Sequence, residues 1–361
     1  MSFYTQDNDH SAVTGGIGTE DLQVYATQVS IDHQRDSSNT FHLGTGVDVI
    51  SSASTDNIDF VKSSASKIDL RTYVNAGYSR LLGKKGITVG MNGGLSIESD
   101  YLSIGAGLSF SHINPSQSRE ISLALQTFFD DLRWGRLHSG EPEKLIYPIE
   151  LQYKEWFDNY RRSSYNLEMG FYQVLNQRMS LGIYPGIAYQ SGLLSTPFHR
   201  VYFNNDSLLV ENLPGSRLKV PLGLQLNTFL GGRWILRAYY RFYWDDFGIV
   251  AHTFNLETSL KITPVFTVST FFRLYSQNSA NYFHPYKAHD ISQAFYTSDY
   301  DLSKFYSIKP GLSFRYAPFN RKRRRTFNAV ELRYAFYRRS DGLEAHMATL
   351  FINYSLEKKK E

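Results

Sequence analysis

The sequence predicts an all-β protein, a transmembrane antiparallel up-and-down β-barrel of about 16 strands. Three observations lead there. The first is a period of two with unlike faces. Along residues 233–262, Trp234, Leu236, Ala238, Tyr240, Phe242 and Trp244 share one face, while Arg237, Tyr239, Arg241, Tyr243 and Asp245 share the other. After Asp246-Phe247-Gly248 the alternation resumes with Val250, His252, Phe254, Leu256, Thr258, Leu260 and Ile262. A strand with an apolar face and a charged face lies between two solvents. The second is arm length, about a dozen residues, which suits a tilted strand crossing a bilayer. The third is that connections alternate between short and often long, as the two ends of an outer-membrane barrel require.

Composition agrees. The chain of 361 residues holds 26 Tyr, 25 Phe and no Cys, with 15% aromatics for interfacial girdles. No apolar run reaches the roughly 18 residues of a membrane helix. A net charge of +4 is too small to indicate nucleic acid. Absence of cysteine excludes disulfides and thiolate metal sites. No basic segment followed by an apolar one opens the chain, so export implies a signal peptide or a start upstream of Met1.

In order, residues 1–8 read as a strand end with Phe3 and Tyr4 at a girdle, followed by a Gly-rich loop. A strand near 22–32 precedes one with Phe41, Leu43, Val47 and Val49 toward lipid. Leu70, Val74 and Tyr78 alternate with Asp69, Arg71, Tyr73 and Asn75. Two strands around Met91 and Leu108 carry Gly, Ser and Asn on their other face. Further strands carry Leu123, Leu167, Ile183 and Leu224 toward lipid. Beyond the 233–262 hairpin come strands carrying Phe272, Phe314, Leu332 and Ile352. The short connections are 34–38, 82–86, 112–118, 176–179, 231–233, 263–265 and 318–326. The other set includes 9–20, 51–66, 131–162, 191–216 with Arg217 closing that loop, and 277–304. This phase places the C-terminus in the periplasm, and residues 1–361 form a single barrel domain.

Four stretches, SFYTQDNDHSAVTGGIGTE, SSASTDNIDF, LLSTPFHRVYF and YRFYWDDFGIVAHT, together resemble a Bacteroidota outer-membrane β-barrel family known only as a domain of unknown function. The likeness runs nearly end to end. It implies a barrel in the outer membrane of a Gram-negative bacterium. It implies no activity and no catalytic residues.

The alternation nominates the lumen lining. It comprises Lys219, Arg237, Tyr239, Arg241, Tyr243, Glu257, Lys261, Arg273, Arg315, Glu331 and Arg333, with Lys309 beside them. Asp48, Asp69, Glu120, Asp130 and Glu168, with Arg71, lie in the N-terminal half, so basic and acidic walls should face each other. Charged rings select solutes in pores. The competing and favoured expectation is a lumen closed by paired charges and by inward Tyr73, Tyr172, Tyr184, Tyr239, Tyr243, Tyr275 and Tyr337.

Other motifs are weaker. Asp7, Asp9, His10, Glu20, Asp56, Asp59, Asp245, Asp246 and His252 could supply calcium oxygens, but no EF-hand spacing occurs and turn chemistry explains them. The run 14–19, TGGIGT, lacks the Lys-Ser/Thr of a phosphate loop and suits a sharp turn or a loop folded into the barrel mouth. His10, His252, His284 and His289 form no recognisable hydrolase set with the abundant serines. Arg321 to Arg325 suit a solvated turn better than a lipid-head site. The expectation is therefore no enzyme, no cofactor and no assigned metal, with outer-membrane lipid as partner. The first functional expectation is an accessory or structural subunit that docks other outer-membrane or surface proteins through its long loops. The alternative is a porin-like channel or transporter for small anionic solutes.

Overall fold

A computed structural model describes residues 1–53, 68–83, 86–98, 101–132, 160–196, 199–319 and 325–356. Strands β1 (Ser2–Asn8), β2 (Glu20–Gln34), β3 (Asn39–Ala53), β4 (Ile68–Leu82), β5 (Ile87–Ile97) and β6 (Leu102–Ile113) open the chain. They are followed by β7 (Arg119–Asp131), β8 (Arg161–Asn176), β9 (Met179–Gly192), and the short β10 (Arg200–Tyr202) and β11 (Leu208–Val210). The rest are β12 (Ser216–Leu230), β13 (Trp234–Asp245), β14 (Val250–Lys261), β15 (Phe266–Gln277), β16 (Phe305–Tyr316), β17 (Arg325–Arg339) and β18 (Glu344–Leu356).

Sixteen of these strands close into one antiparallel barrel, β10 and β11 standing apart as a small sheet of their own. The seam is β1, which pairs with β2 on one side and β18 on the other. Its terminal amine donates to the Leu350 carbonyl at 3.0 Å. Closure leaves no unpaired strand edge, a condition a spanning sheet must meet in lipid.

The exterior is apolar. Val29, Leu70, Leu108, Ile121, Phe254 and Leu332 are all exposed there. A belt of that extent has no place on a water-soluble monomer and fits a lipid-facing wall. Alternation also corrects one expectation. Phe3 packs outside against Tyr25, ring centroids 5.0 Å apart, but Tyr4 faces inward and its hydroxyl donates to Gln6 Oε1 at 2.5 Å. Adjacent strand residues cannot share a girdle.

One end of the barrel carries short connections, such as 35–38, 177–178 and 231–233. The other carries 9–19, 193–215 and 278–304, together with the tight turns 246–249 and 340–343. The long connections fold together. β10 and β11 form a small hairpin, and Phe203 bridges to His289, Asn212 to Tyr296 and Phe283 to Thr297. Phe203, His289 and Thr297 are wholly buried. The 9–19 connection joins them, with His10 stacked on Tyr300 at 3.7 Å. A Cβ at Gly15 would lie 2.6 Å from the Tyr202 ring, and one at Gly16 would lie 2.9 Å from the Ser298 carbonyl. Both residues also have left-handed φ, +80° and +86°, so the glycine run is a docking contact as well as a turn.

Ring order gives this contact its meaning. Eight strands separate the β1–β2 connection from the β9–β12 connection on either side of the ring. The two are therefore anchored at opposite points of the rim, and they touch. The cap must span the mouth along that diameter.

Candidate functional site: a cationic cavity beneath a folded cap

The strands β12 to β18 bring inward-facing side chains around a cavity of ≈ 460 Å³. Arg237, Tyr239, Glu257, Arg273, Lys309 and Arg333 line it, with Gln225, Asn255 and Phe271 between them. Register explains the grouping: Arg237 faces Glu257 across β13–β14, Asn255 faces Arg273 across β14–β15, and Arg273 faces Lys309 across β15–β16. Glu257 bridges two of the cations, taking Arg237 Nη1 at 2.8 Å on Oε1 and Arg333 Nη2 at 3.3 Å on Oε2. One carboxylate thus answers four cations. Arg273 Nε is shielded from solvent and has no hydrogen-bond partner. Positive charge is in surplus here and one donor is unfilled, which are the features that favour an anion.

Aromatic side chains shape the space. The Phe271 ring lies flat on Gly311 of the next strand, so that a Cβ there would sit 2.0 Å from the ring. Arg333 then stacks over Phe271 at 3.8 Å, a cation–π contact that fixes its guanidinium. The same device recurs with Tyr73 over Gly46, Tyr184 over Gly182 and Tyr239 over Gly223. These tyrosines were expected to fill the lumen. They lie along the wall instead, because a glycine, on the neighbouring strand for Tyr73 and Tyr239 and two residues back on the same strand for Tyr184, leaves room for the ring to fold down.

A second cavity of ≈ 570 Å³ faces β4 to β9 and β12. Lys219, Arg71, Tyr73, Tyr101, Asp130 and Arg162 line it among Ser, Asn and Gly residues. Here charges are matched locally: Arg162 Nε meets Asp130 at 2.8 Å and Arg71 lies 3.7 Å from Asp48. The acidic half is therefore partly neutralised on its own side.

The remaining lumen residues lie elsewhere. Arg241 and Lys261 are exposed, on the same strand faces as Tyr239 and Glu257. Arg315 and Glu331 face each other in register, and Glu331 Oε1 accepts from Ser313 Oγ at 2.6 Å. Tyr243 donates to Asp245 Oδ2 at 2.7 Å beneath the cap. Sequence reasoning missed Arg162, Arg217 and Arg339 because it assigned the first two to loops and gave the third no place. Arg217 pairs with Asp245, and Arg339 stacks over Phe305 at 3.9 Å while pairing with Asp301 and Asp341.

Among the described residues, the oxygen-rich set weighed for calcium does not converge. Asp245 is buried in its ion pair and Asp246 accepts from the Leu218 amide at 3.0 Å. His252 sits on the outer face, its Nδ1 2.7 Å from the Tyr240 hydroxyl. Asp56, Asp59 and residues 321–324 lie outside the described residues, and the Asp69 and Arg325 side chains are likewise undescribed. Of the hydrolase candidates, His10 Nδ1 contacts the Gly16 carbonyl and His289 lies between Gln293 and the Thr297 carbonyl. The structure instead gathers His199, Glu211 and Asp299 inside the cap. Burial pulls the His199 imidazole down, but Glu211, Asp299 and Glu20 more than reverse this and hold it at about 9. Burial pushes the Asp299 carboxyl above the usual carboxylate range, against the pull of His199.

No curated protein matches the chain. Among solved structures it is similar to a bacterial polysaccharide outer membrane secretin, at 9% identity and TM-score 0.45, over 98% of this chain and 97% of that one. It is similar to a BenF-like porin from Pseudomonas fluorescens Pf-5, at 9% identity and TM-score 0.40, over 98% and 97%. A deltaS2 mutant of the TodX monoaromatic hydrocarbon channel aligns at 10% identity and TM-score 0.41, over 98% and 87%. Scores this low carry nothing about function. The family match is of another kind: it covers residues 26–350, nearly the whole barrel, and the chain belongs to the proteins of unknown function grouped as DUF3570.

Proposed function

We propose that this protein is an integral outer-membrane barrel of a Gram-negative bacterium of the Bacteroidota, and that it admits small anionic solutes to its lumen. Loop lengths support an orientation with the cap outside and the C-terminus in the periplasm. Lipid is its constant partner, and neither nucleic acid nor catalysis is part of the proposal. The observation that carries the reading is the cavity in which Glu257 alone offsets Arg237, Arg273, Lys309 and Arg333. Such a wall concentrates anions and repels cations. A second reading, an accessory subunit that docks a partner on its loops, is supported by the folded cap, where Ile291 and Phe295 are exposed.

The test is solute flux into liposomes carrying the purified barrel. Replacing Arg237 and Arg333 with Gln keeps hydrogen bonding and removes two charges around Glu257. Flux of a small organic anion is expected to fall about tenfold, with a neutral sugar of similar size unaffected. Equal flux of both solutes, before and after substitution, would remove the anion site and leave the accessory reading.

A further inference from the structure

We propose that the cap holds a divalent transition-metal ion of the zinc class, bound by His199 Nδ1, a Glu211 carboxylate oxygen and Asp299 Oδ2. The three residues come from distant sequence and two rim connections. His199 and Glu211 flank the β10–β11 hairpin, where the Glu211 amide donates to the His199 carbonyl at 3.0 Å. Asp299 belongs to the 278–304 connection and caps the 3-10 turn Tyr300–Leu302.

Distance separates a metal site from an ion pair. His199 Nδ1 lies 3.6 Å from Glu211 Oε1 and 3.8 Å from Asp299 Oδ2. Both are too long for a hydrogen bond, and Nδ1 is fully shielded with no hydrogen-bond partner. Metal–ligand bonds of about 2.0–2.2 Å set tetrahedral ligand atoms about 3.4 Å apart. The observed separations exceed that edge by a few tenths of an ångström. The ligand atoms of all three residues fall within 4.8 Å of one another.

The surroundings hold the ligands in place. Thr297 is wholly buried; its hydroxyl donates to Glu211 Oε1 at 2.5 Å and accepts from the Asp299 amide at 3.0 Å. The Thr196 amide donates to Glu211 Oε2 at 2.6 Å. Asp299 Oδ1 accepts from the Asp301 amide at 2.8 Å, which leaves Oδ2 to turn toward His199. Outer-shell bonds of this kind orient metal ligands. Access exists, because the His199 and Asp299 side chains are 20% and 25% exposed. Imidazole with two carboxylates selects zinc-like ions over calcium or magnesium, and three protein ligands leave a position for water. An ion here ties the β9–β12 connection to the β15–β16 connection and so fastens the cap.

The experiment is calorimetric titration of the chelator-treated, detergent-solubilised full chain with Zn²⁺ alone, with Ca²⁺ and Mg²⁺ as controls. Wild type should take up a single Zn²⁺ per chain and neither control ion, and Zn²⁺ should protect the 199–211 segment from protease. His199→Ala should abolish the uptake. Asp299→Asn keeps the turn-capping bond and should weaken Zn²⁺ strongly. Thr297→Val, which frees Glu211 without touching a ligand, should weaken it about tenfold. Heat-modified gel mobility verifies that each barrel is folded. No saturable Zn²⁺ uptake by wild type overturns the proposal and leaves a protonated His199 between two carboxylates. Undiminished uptake by folded Asp299→Asn overturns it too.

Discussion

Replacing Asp245 with Ala is expected to cost the barrel about 3–5 kcal/mol, the largest loss from any single change considered. Asp245 is completely buried beneath the cap. Arg217 Nε donates to its Oδ2 at 3.0 Å, the Tyr243 hydroxyl donates to the same oxygen at 2.7 Å, and the Ile249 amide donates to Oδ1 at 3.0 Å. Arg217 itself is mostly buried and lies 4.5 Å above the Phe247 ring. Removing the carboxylate leaves a shielded guanidinium with no counter-charge. It also loosens the 246–249 turn, whose Phe247 and Ile249 pack in an apolar cluster with Leu213, Ala251 and Ala280. The double change Asp245→Ala with Arg217→Met should recover much of the loss, since a buried pair costs most when only one member is removed. Urea unfolding followed by heat-modified gel mobility measures both. A loss for Asp245→Ala no greater than that of a surface substitution would contradict the buried-pair account.

Arg at Leu224 or Phe254 is expected to cost about 2–4 kcal/mol each, because both residues face the bilayer, on β12 and β14 at either side of β13. Arg at Asn166, which lines the second cavity, should cost much less. The same charge is added in each case, and only the solvent on that side of the wall differs. Folding yield into lipid vesicles under rising urea gives the comparison. Equal loss at the two kinds of position would mean that the strands do not separate two solvents.

The barrel was legible because its information is local. In β13 and β14 each residue's face follows from its neighbour's, so the alternation from Trp234 to Lys261 gives face and register at once. The lumen cations Arg237, Arg273 and Arg333 follow from the same rule. Strand ends were less legible, since alternation does not announce where pairing stops. Arg162 and Arg217 looked like loop residues, yet each lies one residue inside its strand. The cap was not legible. Thr297 and Glu211 are 86 positions apart and meet only once the barrel has brought their anchoring strands together. One local signal was present: Val201 and Phe203, then Asn204-Asn205-Asp206, then Leu208 and Val210, which is apolar alternation on both sides of a turn. Taken as a hairpin, it pairs His199 with Glu211. The flattening of Tyr73 and Tyr239 also needed three dimensions, because the glycine beneath each ring belongs to the neighbouring strand; for Tyr184 it is Gly182, two residues back on the same strand.

If the surplus of lumen cations makes this barrel a route for anions, its open state favours chloride over potassium. Single-channel recording of the wild-type protein in a planar bilayer under a KCl gradient tests it most directly. A conducting state whose reversal potential shifts toward that of chloride is expected. A cation-selective current, or a folded and inserted barrel that passes no current, would contradict it.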